Sequence, residues 1–347
     1  MAEKYLVITD RLELELRKMR SEGRTRLPSE QELATRFSCS RQTVRAALEV
    51  LQQKGLIEKR KGSGSYIAGS YMNNRSVFFM AEDCDRYTAP ALISGLKEQL
   101  ASLRYEIRAF STGGSVKTAA EIFERVLAER PAALIIEPEH DLIPDPNLRL
   151  IDRITDMGIP VVYCNSSSGP VHVVPDNAEG GRILTKELLS SGRKKTACIF
   201  RMDSSSGRDR YQGYIDALTD FGAGFDESLC LLLTHEDEKE IISGNGQKLS
   251  AFIDDSMREC DAVICQNGMI AHQLVRVLAG KGICVPHDIA VACFDSGYYA
   301  TDGIISLGYD NGSFCRTLAK TVAALTEGRN AASIVVPMHD IPKTFSS

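Results

Sequence analysis

Four polar side chains begin one amphipathic segment near the amino terminus: Arg41, Gln42, Thr43 and Arg45. They fall in the first turn and a half of a helix predicted over 41–55, whose apolar residues face the other way. A guanidinium can donate two hydrogen bonds to guanine, a glutamine amide can bond adenine, and a threonine methyl can pack on thymine. This spacing offers base recognition in the major groove of double-stranded DNA.

The elements around this segment are predicted from their own local signals. Apolar residues at helical spacing from Tyr5 to Leu16 predict a first helix. Ser29, followed three residues later by Glu32, has the spacing of a capping box and predicts a second helix, with Ser40 capping the third after a short turn. Two short helices joined by such a turn form a helix-turn-helix.

A β-hairpin is predicted directly after these helices, where LIEKRKGSGSYIAG reads as two strands around a glycine-rich tip. Gly62 lets the tip approach a duplex closely, and Arg60 and Lys61 beside it could contact phosphate or the minor groove. Ser29 and Ser40, with the amides at the starts of their helices, could hold phosphates. The first seventy residues therefore resemble a winged helix-turn-helix.

The strings LPSEQELA, SRQTVRAALEVL and GSGSYI carry a specific likeness over this segment. They resemble the winged helix-turn-helix of the GntR family of bacterial transcription regulators. The resemblance implies DNA contacts from residues at the family's usual positions: Gln31, Ser40, Arg41, Thr43, Arg45 and Gly62.

Charge and composition limit the remaining function classes. Residues 1–70 hold 14 Lys/Arg and 9 Asp/Glu, a net charge of +5, whereas the rest holds 27 and 37, a net charge of −10. A polyanionic partner is therefore expected for the first part only. The sequence contains no apolar run of membrane-spanning length and no secretory leader, so a cytoplasmic location is expected. The ten cysteines lack any C-x-x-C spacing and are expected to be reduced thiols that hold no metal.

Strands and helices alternate through the rest of the chain, which predicts parallel sheets covered on both faces. One series runs over 76–165 and a second over 171–295, so two similar lobes in tandem are expected. The predicted fold class is α/β, and the predicted domains are a winged helix-turn-helix over 1–69, a linker over 70–76, and a two-lobed effector-binding and dimerisation domain over 77–347.

Polar residues end nearly every predicted strand, and ligands of open parallel sheets bind beyond those ends. Carboxylates, amides and a guanidinium converging from two lobes favour a neutral polyhydroxylated ligand. The residues in these positions are Glu82, Asp83, Glu137, Asn165, Asp176, Arg201, Gln266, Asn267 and Asp295.

Three longer strings, over 174–199, 210–218 and 285–296, are similar to the effector domain of LacI/GalR repressors. That resemblance implies a domain shaped like a periplasmic sugar-binding protein (type I), with a homodimeric state and a sugar effector. A GntR-type head on such a body also resembles regulators of the arabinose-repressor type, as does the string over 134–148. The implied effector contacts are Arg210, Asn267 and Asp295, then Tyr87, Glu137 and Asp176.

Other classes are weighed against this interpretation. A regulator of the same architecture could respond to a nucleoside or a phosphorylated metabolite. An enzyme is not expected, because the six histidines lie apart and no H-E-x-x-H, G-x-S-x-G or P-loop occurs. A pyridoxal-phosphate-dependent body would require a longer chain, and a transport binding protein would require export. No cofactor is expected.

Overall fold

A computed structural model describes residues 2–69, 74–139, 141–142, 145–295 and 303–338. Residues 70–73 of the predicted linker lie outside this range. The first strand of the body begins at Ser76, one residue before the predicted start of the body at 77. The protein has an amino-terminal head of helices and a hairpin, and an α/β body with two sheets.

The head is a winged helix-turn-helix. Its helices are α1 (Ala2–Ser21), α2 (Glu30–Arg36) and α3 (Arg41–Gln53), and its wing pairs β1 (Ile57–Arg60) with β2 (Gly64–Ile67) in antiparallel register. One apolar core joins all five elements, including Leu12, Leu33 and Leu48. The apolar faces expected from helical spacing therefore pack against each other, and the polar face of α3 is left outside.

The first lobe of the body contains a six-stranded parallel sheet in the order β13-β7-β6-β5-β3-β4. Its strands are β3 (Ser76–Ala81), β4 (Glu106–Ser111), β5 (Ala133–Ile136), β6 (Val161–Cys164), β7 (His172–Pro175) and β13 (Ile334–Val336). Its helices are α4 (Ala89–Ser102), α5 (Val116–Glu129), α6 (Leu148–Asp156) and α12 (Asn311–Thr326). Successive residues of β5 enter two different cores, so both faces of the sheet are covered.

The second lobe contains a five-stranded parallel sheet in the order β12-β11-β10-β8-β9. Its strands are β8 (Thr196–Arg201), β9 (Cys230–Leu233), β10 (Ala262–Cys265), β11 (Ala290–Phe294) and β12 (Ile304–Leu307). Its helices are α7 (Asn177–Ser190), α8 (Ser205–Asp220), α9 (His235–Ile242), α10 (Gln247–Asp255) and α11 (Gly268–Gly280).

The chain forms two lobes, but the expectation that it completes the first lobe before it enters the second is wrong. Strand β7, expected to begin the second lobe, pairs with β6 in the first sheet. After β12 the chain returns, so that α12 packs in the first lobe's core through Phe314 and Leu318 and β13 pairs with β7. The lobes are thus joined by several crossings, a result of strand pairing that local patterns do not encode.

Helices α7 and α8 meet at glycines. A Cβ at Gly181 would lie 2.2 Å from the carbonyl oxygen of Arg210, and one at Gly213 would lie 1.9 Å from that of Ala178. The two backbones are therefore closer than any side chain would allow. This contact fixes the position of Arg210, which lies on α8.

Candidate DNA interface and effector cleft

The caps of α2 and α3 form as their sequences predict. The Ser29 hydroxyl accepts from the Glu32 amide at 3.3 Å while Glu32 accepts from the Ser29 amide at 2.7 Å. The Ser40 hydroxyl accepts from the Thr43 amide at 3.1 Å. These bonds fix both helix starts, and Gln31 lies exposed in the first turn of α2.

The start of α3 presents its polar residues to solvent. Arg41, Gln42 and Arg45 are exposed and Thr43 is half-buried. Arg45 donates to both carboxylate oxygens of Glu30 on α2, with Nη2 2.9 Å from Oε2, and this bond lowers the pKa of Glu30. The pair holds the Arg45 side chain between the two helices in a defined direction.

The wing tip takes the conformation that only glycine adopts easily. Gly62 and Gly64 have φ of 77° and 113°. Arg60 pairs with Glu58 at 2.7 Å and stacks on the Tyr66 ring at 4.4 Å, and Lys61 is exposed. A tip without side chains on its glycines, next to two cations, can approach a phosphate backbone closely.

The body contacts the opposite end of α3. Lys54, directly after the helix, donates from Nζ to Glu13 at 2.5 Å and to the carbonyl oxygen of Asp156 at 2.7 Å. The contact therefore lies a full helix length from Arg41. The end of α3 that carries the predicted base contacts stays clear of it.

A cleft of about 1200 Å³ separates the two lobes, at the carboxyl ends of the strands. Five of the six predicted effector residues line it: Tyr87, Glu137, Arg210, Asn267 and Asp295. The sixth, Asp176, does not lie among the described lining residues. Its carboxylate accepts from the Glu179 amide at 3.1 Å and caps α7, because the residue before a helix commonly binds that helix's own free amides.

All three guanidinium nitrogens of Arg210 are bound at the wall of the cleft. The side chain is buried, and its nitrogens donate to the Asn177 side chain at 2.9 Å, to the Gln266 carbonyl and to Asp295 at 3.1 Å. Its guanidinium also lies 4.1 Å from the centre of the Phe294 ring. The residue ties together three elements of the second lobe at the cleft wall.

Asn267 caps α11 by accepting from the Ile270 amide at 3.0 Å, and its amide group donates to Glu238 at 2.6 Å. The second Glu238 oxygen accepts from Arg201 at 2.9 Å. Helix α9 thus brings a buried carboxylate between two strand-end residues of the second lobe.

Two direct contacts cross the cleft at Tyr87. Its hydroxyl donates to the carbonyl oxygen of Asp295 and accepts from the Gly268 amide at 3.2 Å. Burial raises the pKa of Tyr87 well above its usual value, so the phenol stays protonated and able to donate. Tyr87, Asn165 and Asp295 all have positive φ, at 55°, 56° and 49°. Such angles are uncommon outside glycine and cluster at ligand-binding and active sites.

An ion-pair cluster also joins the lobes. Glu82 of the first lobe lies 3.3 Å from Nε2 of His235 and 2.9 Å from Nζ of Lys239, both on α9. The bond to His235, then the bond to Lys239, lower the pKa of Glu82 to about 2. The cluster therefore holds an ionised carboxylate between the lobes.

Glu137 and Asn165 lie together on the first lobe's side of the cleft. The Asn165 amide donates to Glu137 at 2.6 Å, and its Oδ1 is buried without a hydrogen-bond partner in the described structure. Burial raises the pKa of Glu137. An unused acceptor beside a desolvated carboxyl suits a ligand that brings hydroxyl donors.

Helix α9 was missed by sequence reasoning, and with it His235, Glu238 and Lys239. The signal was present, since Thr234 and Asp237 form a capping box with both bonds made. The segment is short and mostly charged, so it lacks the long apolar periodicity that identifies a helix.

Three side chains of metal-ligand type meet in the same region: Glu82, Glu139 and His235, with ligand atoms within 4.8 Å of one another. Lys239 already pairs with Glu82, and Nη1 of Arg201 lies 3.2 Å from Nδ1 of His235. Lys239 and Arg201 already supply positive charge to these ligand atoms and would repel a metal cation. The three side chains therefore fit an ion-pair cluster better than a metal site.

Comparison with known proteins agrees with both halves of this structure. Residues 4–67 match the bacterial regulatory proteins of the gntR family, and residues 86–326 match the periplasmic binding proteins and sugar binding domain of the LacI family. The chain belongs to this LacI-type family. It carries a GntR-type helix-turn-helix in front of the LacI-type domain, which makes it a DNA-binding regulator with a sugar-binding body.

Two curated relatives are similar to this chain over most of its length, and both are arabinose metabolism transcriptional repressors. The one from Halalkalibacterium halodurans is 25% identical over 81% of this chain and 77% of its own. The one from Geobacillus stearothermophilus is 28% identical over 80% of this chain and 77% of its own. The solved transcriptional regulator CelR in complex with cellobiose has the same fold, with a TM-score of 0.67 and 18% identity over 90% of this chain and 98% of its own.

Across the described ranges, no helix is both long and apolar enough to span a bilayer. The families and relatives of the chain are regulators of transcription rather than enzymes.

Proposed function

We propose that this LacI-type regulator represses genes of sugar utilisation and is released from its operator by a free aldose, with L-arabinose the first candidate. The names of the two curated relatives support arabinose. The exposed start of α3 supports operator binding. From binding to chromosomal DNA we infer a cytoplasmic location.

The pairing of three cations of the cleft carries the proposal of a neutral effector. Arg201 is bound to Glu238 at 2.9 Å, Arg210 to Asp295 at 3.1 Å and Lys239 to Glu82 at 2.9 Å. Arg86, a fourth cation of the described lining, is mostly exposed and lies 3.6 Å from Asp83. A phosphate group would require at least one cation free to bind it, and stripping a buried carboxylate of its partner is costly. The Asn165 oxygen and the Glu137 carboxyl instead offer acceptors to sugar hydroxyls.

Both lobes supply polar groups to the cleft, so a small sugar can satisfy its hydroxyls fully only when the lobes are close. Sugar binding then shifts the population toward the closed arrangement. The lobe geometry sets the position of the heads, and the two equilibria are linked. If sugar weakens operator binding by some factor, operator DNA weakens sugar binding by the same factor.

The DNA contacts proposed for the head are the ten polar and glycine positions predicted from sequence, at the starts of α2 and α3 and at the wing. A homodimer of the body would present two heads to a pseudo-palindromic operator, which is the usual arrangement for such regulators. Sedimentation of the full-length protein would measure the dimer directly.

Operator release tests the proposal. DNA selected by the full-length protein from a random-sequence pool would be labelled and titrated by fluorescence anisotropy with L-arabinose, D-xylose, D-ribose, ribose 5-phosphate and adenosine. We expect a free aldose to weaken operator binding at least tenfold, while the phosphorylated sugar and the nucleoside leave it unchanged. Release by ribose 5-phosphate or adenosine alone would contradict a neutral-sugar effector, and selection of no DNA sequence would contradict the regulator itself.

A further inference from the structure

Two cysteines of the second lobe lie side by side on neighbouring strands. Cys198 of β8 and Cys230 of β9 are direct partners in the parallel register. Both side chains belong to the same apolar cluster, under α8, so they point to the same face of the sheet. Neighbouring strands lie about 4.8 Å apart, within the roughly 4.4 to 6.8 Å between Cα atoms that a disulfide spans.

The two thiols differ in access and acidity. Cys198 is fully buried, whereas Cys230 is partly exposed on the edge strand of the sheet. Hydrogen bonds from Cys198 and then Tyr211 lower the pKa of Cys230, although burial opposes them, and burial raises the pKa of Cys198. Cys230 is thus the more accessible and the more acidic of the two thiols, although its Sγ also donates to the Asp226 carbonyl oxygen at 3.7 Å, and Cys198 is held beside it as a protonated partner.

We propose that Cys198 and Cys230 form a reversible thiol–disulfide site that reacts with hydroperoxides. The Cys230 thiol first loses its proton to solvent, and the thiolate attacks the terminal peroxide oxygen. The O–O bond breaks, the sulfur is oxidised to a sulfenic acid, and the alkoxide or hydroxide that leaves takes up a proton from solvent as an alcohol or water. The Cys198 sulfur then attacks the Cys230 sulfur, the S–O bond breaks, and the hydroxyl group leaves as water with the Cys198 proton.

A second cysteine pair in the same sheet provides an internal control. Cys265 and Cys293 are also register partners, on β10 and β11, but both are fully buried in central strands. Burial raises the pKa of both thiols. Cys265 and Cys293 thus have the same spacing but neither solvent access nor an acidic thiol, and we expect them to stay reduced.

The site lies close to the cleft along the chain. Strand β9 ends at Leu233, and α9 begins at His235, which contacts Glu82 across the lobes. The site is nevertheless separate from the proposed sugar contacts, so its test does not depend on the effector.

The experiment treats the full-length protein with a few equivalents of hydrogen peroxide, alkylates the remaining thiols and maps the peptides by mass spectrometry. We expect a Cys198–Cys230 linked peptide that dithiothreitol removes, with Cys265 and Cys293 alkylated only after unfolding. In Cys198→Ser, Cys230 should accumulate as a sulfenic acid that dimedone traps, and in Cys230→Ser the linked peptide should vanish.

Thermal unfolding of both variants checks that they fold, and the single exposed Cys284 gives the reference oxidation rate. Oxidation of Cys230 no faster than that of Cys284, or its conversion to sulfinic acid in the wild type without any linked peptide, would overturn the proposal.

Discussion

Nη2 of Arg210 lies 3.1 Å from Oδ2 of Asp295, at the point where β11 reaches the cleft between the lobes. The same guanidinium bonds the Asn177 side chain and the Gln266 carbonyl. One side chain thereby joins the start of α7, the end of β10 and the end of β11 into a single wall. Removing the guanidinium should therefore disturb all three elements at once.

Arg210→Met should weaken sugar binding at least tenfold, a loss of about 1.4 kcal/mol in binding free energy. The substitution leaves Asp295 without its cation and removes the bonds that join α7, β10 and β11. Arg210→Lys should rescue little, since a single ammonium cannot make three directed bonds. Calorimetric titration with L-arabinose measures both. Arg208→Met, at an exposed position on the same helix, is the matched control, and wild-type affinity in Arg210→Met would count against this role.

Arg41→Ala should cost about 1 to 3 kcal/mol of specific operator binding and relax the preference at one base pair. Lys61→Ala should instead weaken binding to all sequences and reduce the slope against log salt by about one. Anisotropy at several salt concentrations separates these effects. Arg329→Ala removes an exposed cation of the body and should change neither. Equal behaviour of the three variants would remove the support for α3 as the reading helix.

Acid should weaken the ion-pair cluster in which Glu82 of the first lobe contacts His235 and Lys239 of the second. Its folded pKa of about 2 lies below the usual 4.5, so its contribution to stability is complete above about pH 4.5 and is lost as the pH falls toward 2. The difference in free energy of unfolding between wild type and Glu82→Gln should therefore shrink over that window. Denaturant unfolding at a series of pH values measures it, and a difference that stays constant would show that the ion pair contributes no pH dependence.

Gly181→Ala should destabilise the second lobe and disturb the cleft together, because its Cβ would lie 2.2 Å from the Arg210 carbonyl oxygen. Backbone cannot move aside as a flexible side chain can, and overpacking of this kind costs typically about 1 to 3 kcal/mol. Thermal unfolding and sugar titration should both change. Gly224→Ala is the control, since nothing lies within 4 Å of its Cβ and its backbone is ordinary. Unchanged unfolding in Gly181→Ala would mean that the helices separate freely.

The head could be predicted almost completely from its sequence. Ser29 with Glu32, Ser40 with Thr43, and the wing glycines act within a few residues of the chain, and their hydrogen bonds and backbone angles form as expected. Local signals of this kind decide where a helix starts and how a hairpin turns, whatever the rest of the molecule does. The strand-end rule likewise brings eight of its nine residues, all but Asp176, to one cleft.

The tertiary structure decided the rest, because it depends on pairings between distant segments. The return of the chain after β12 and the place of β7 in the first sheet follow from strand order, which apolar runs do not specify. Asp176 has the residue type of a ligand contact, yet its position gives it to the α7 cap. The bridge from Glu82 to His235 joins residues 153 positions apart, and only the packing of two lobes could bring them together.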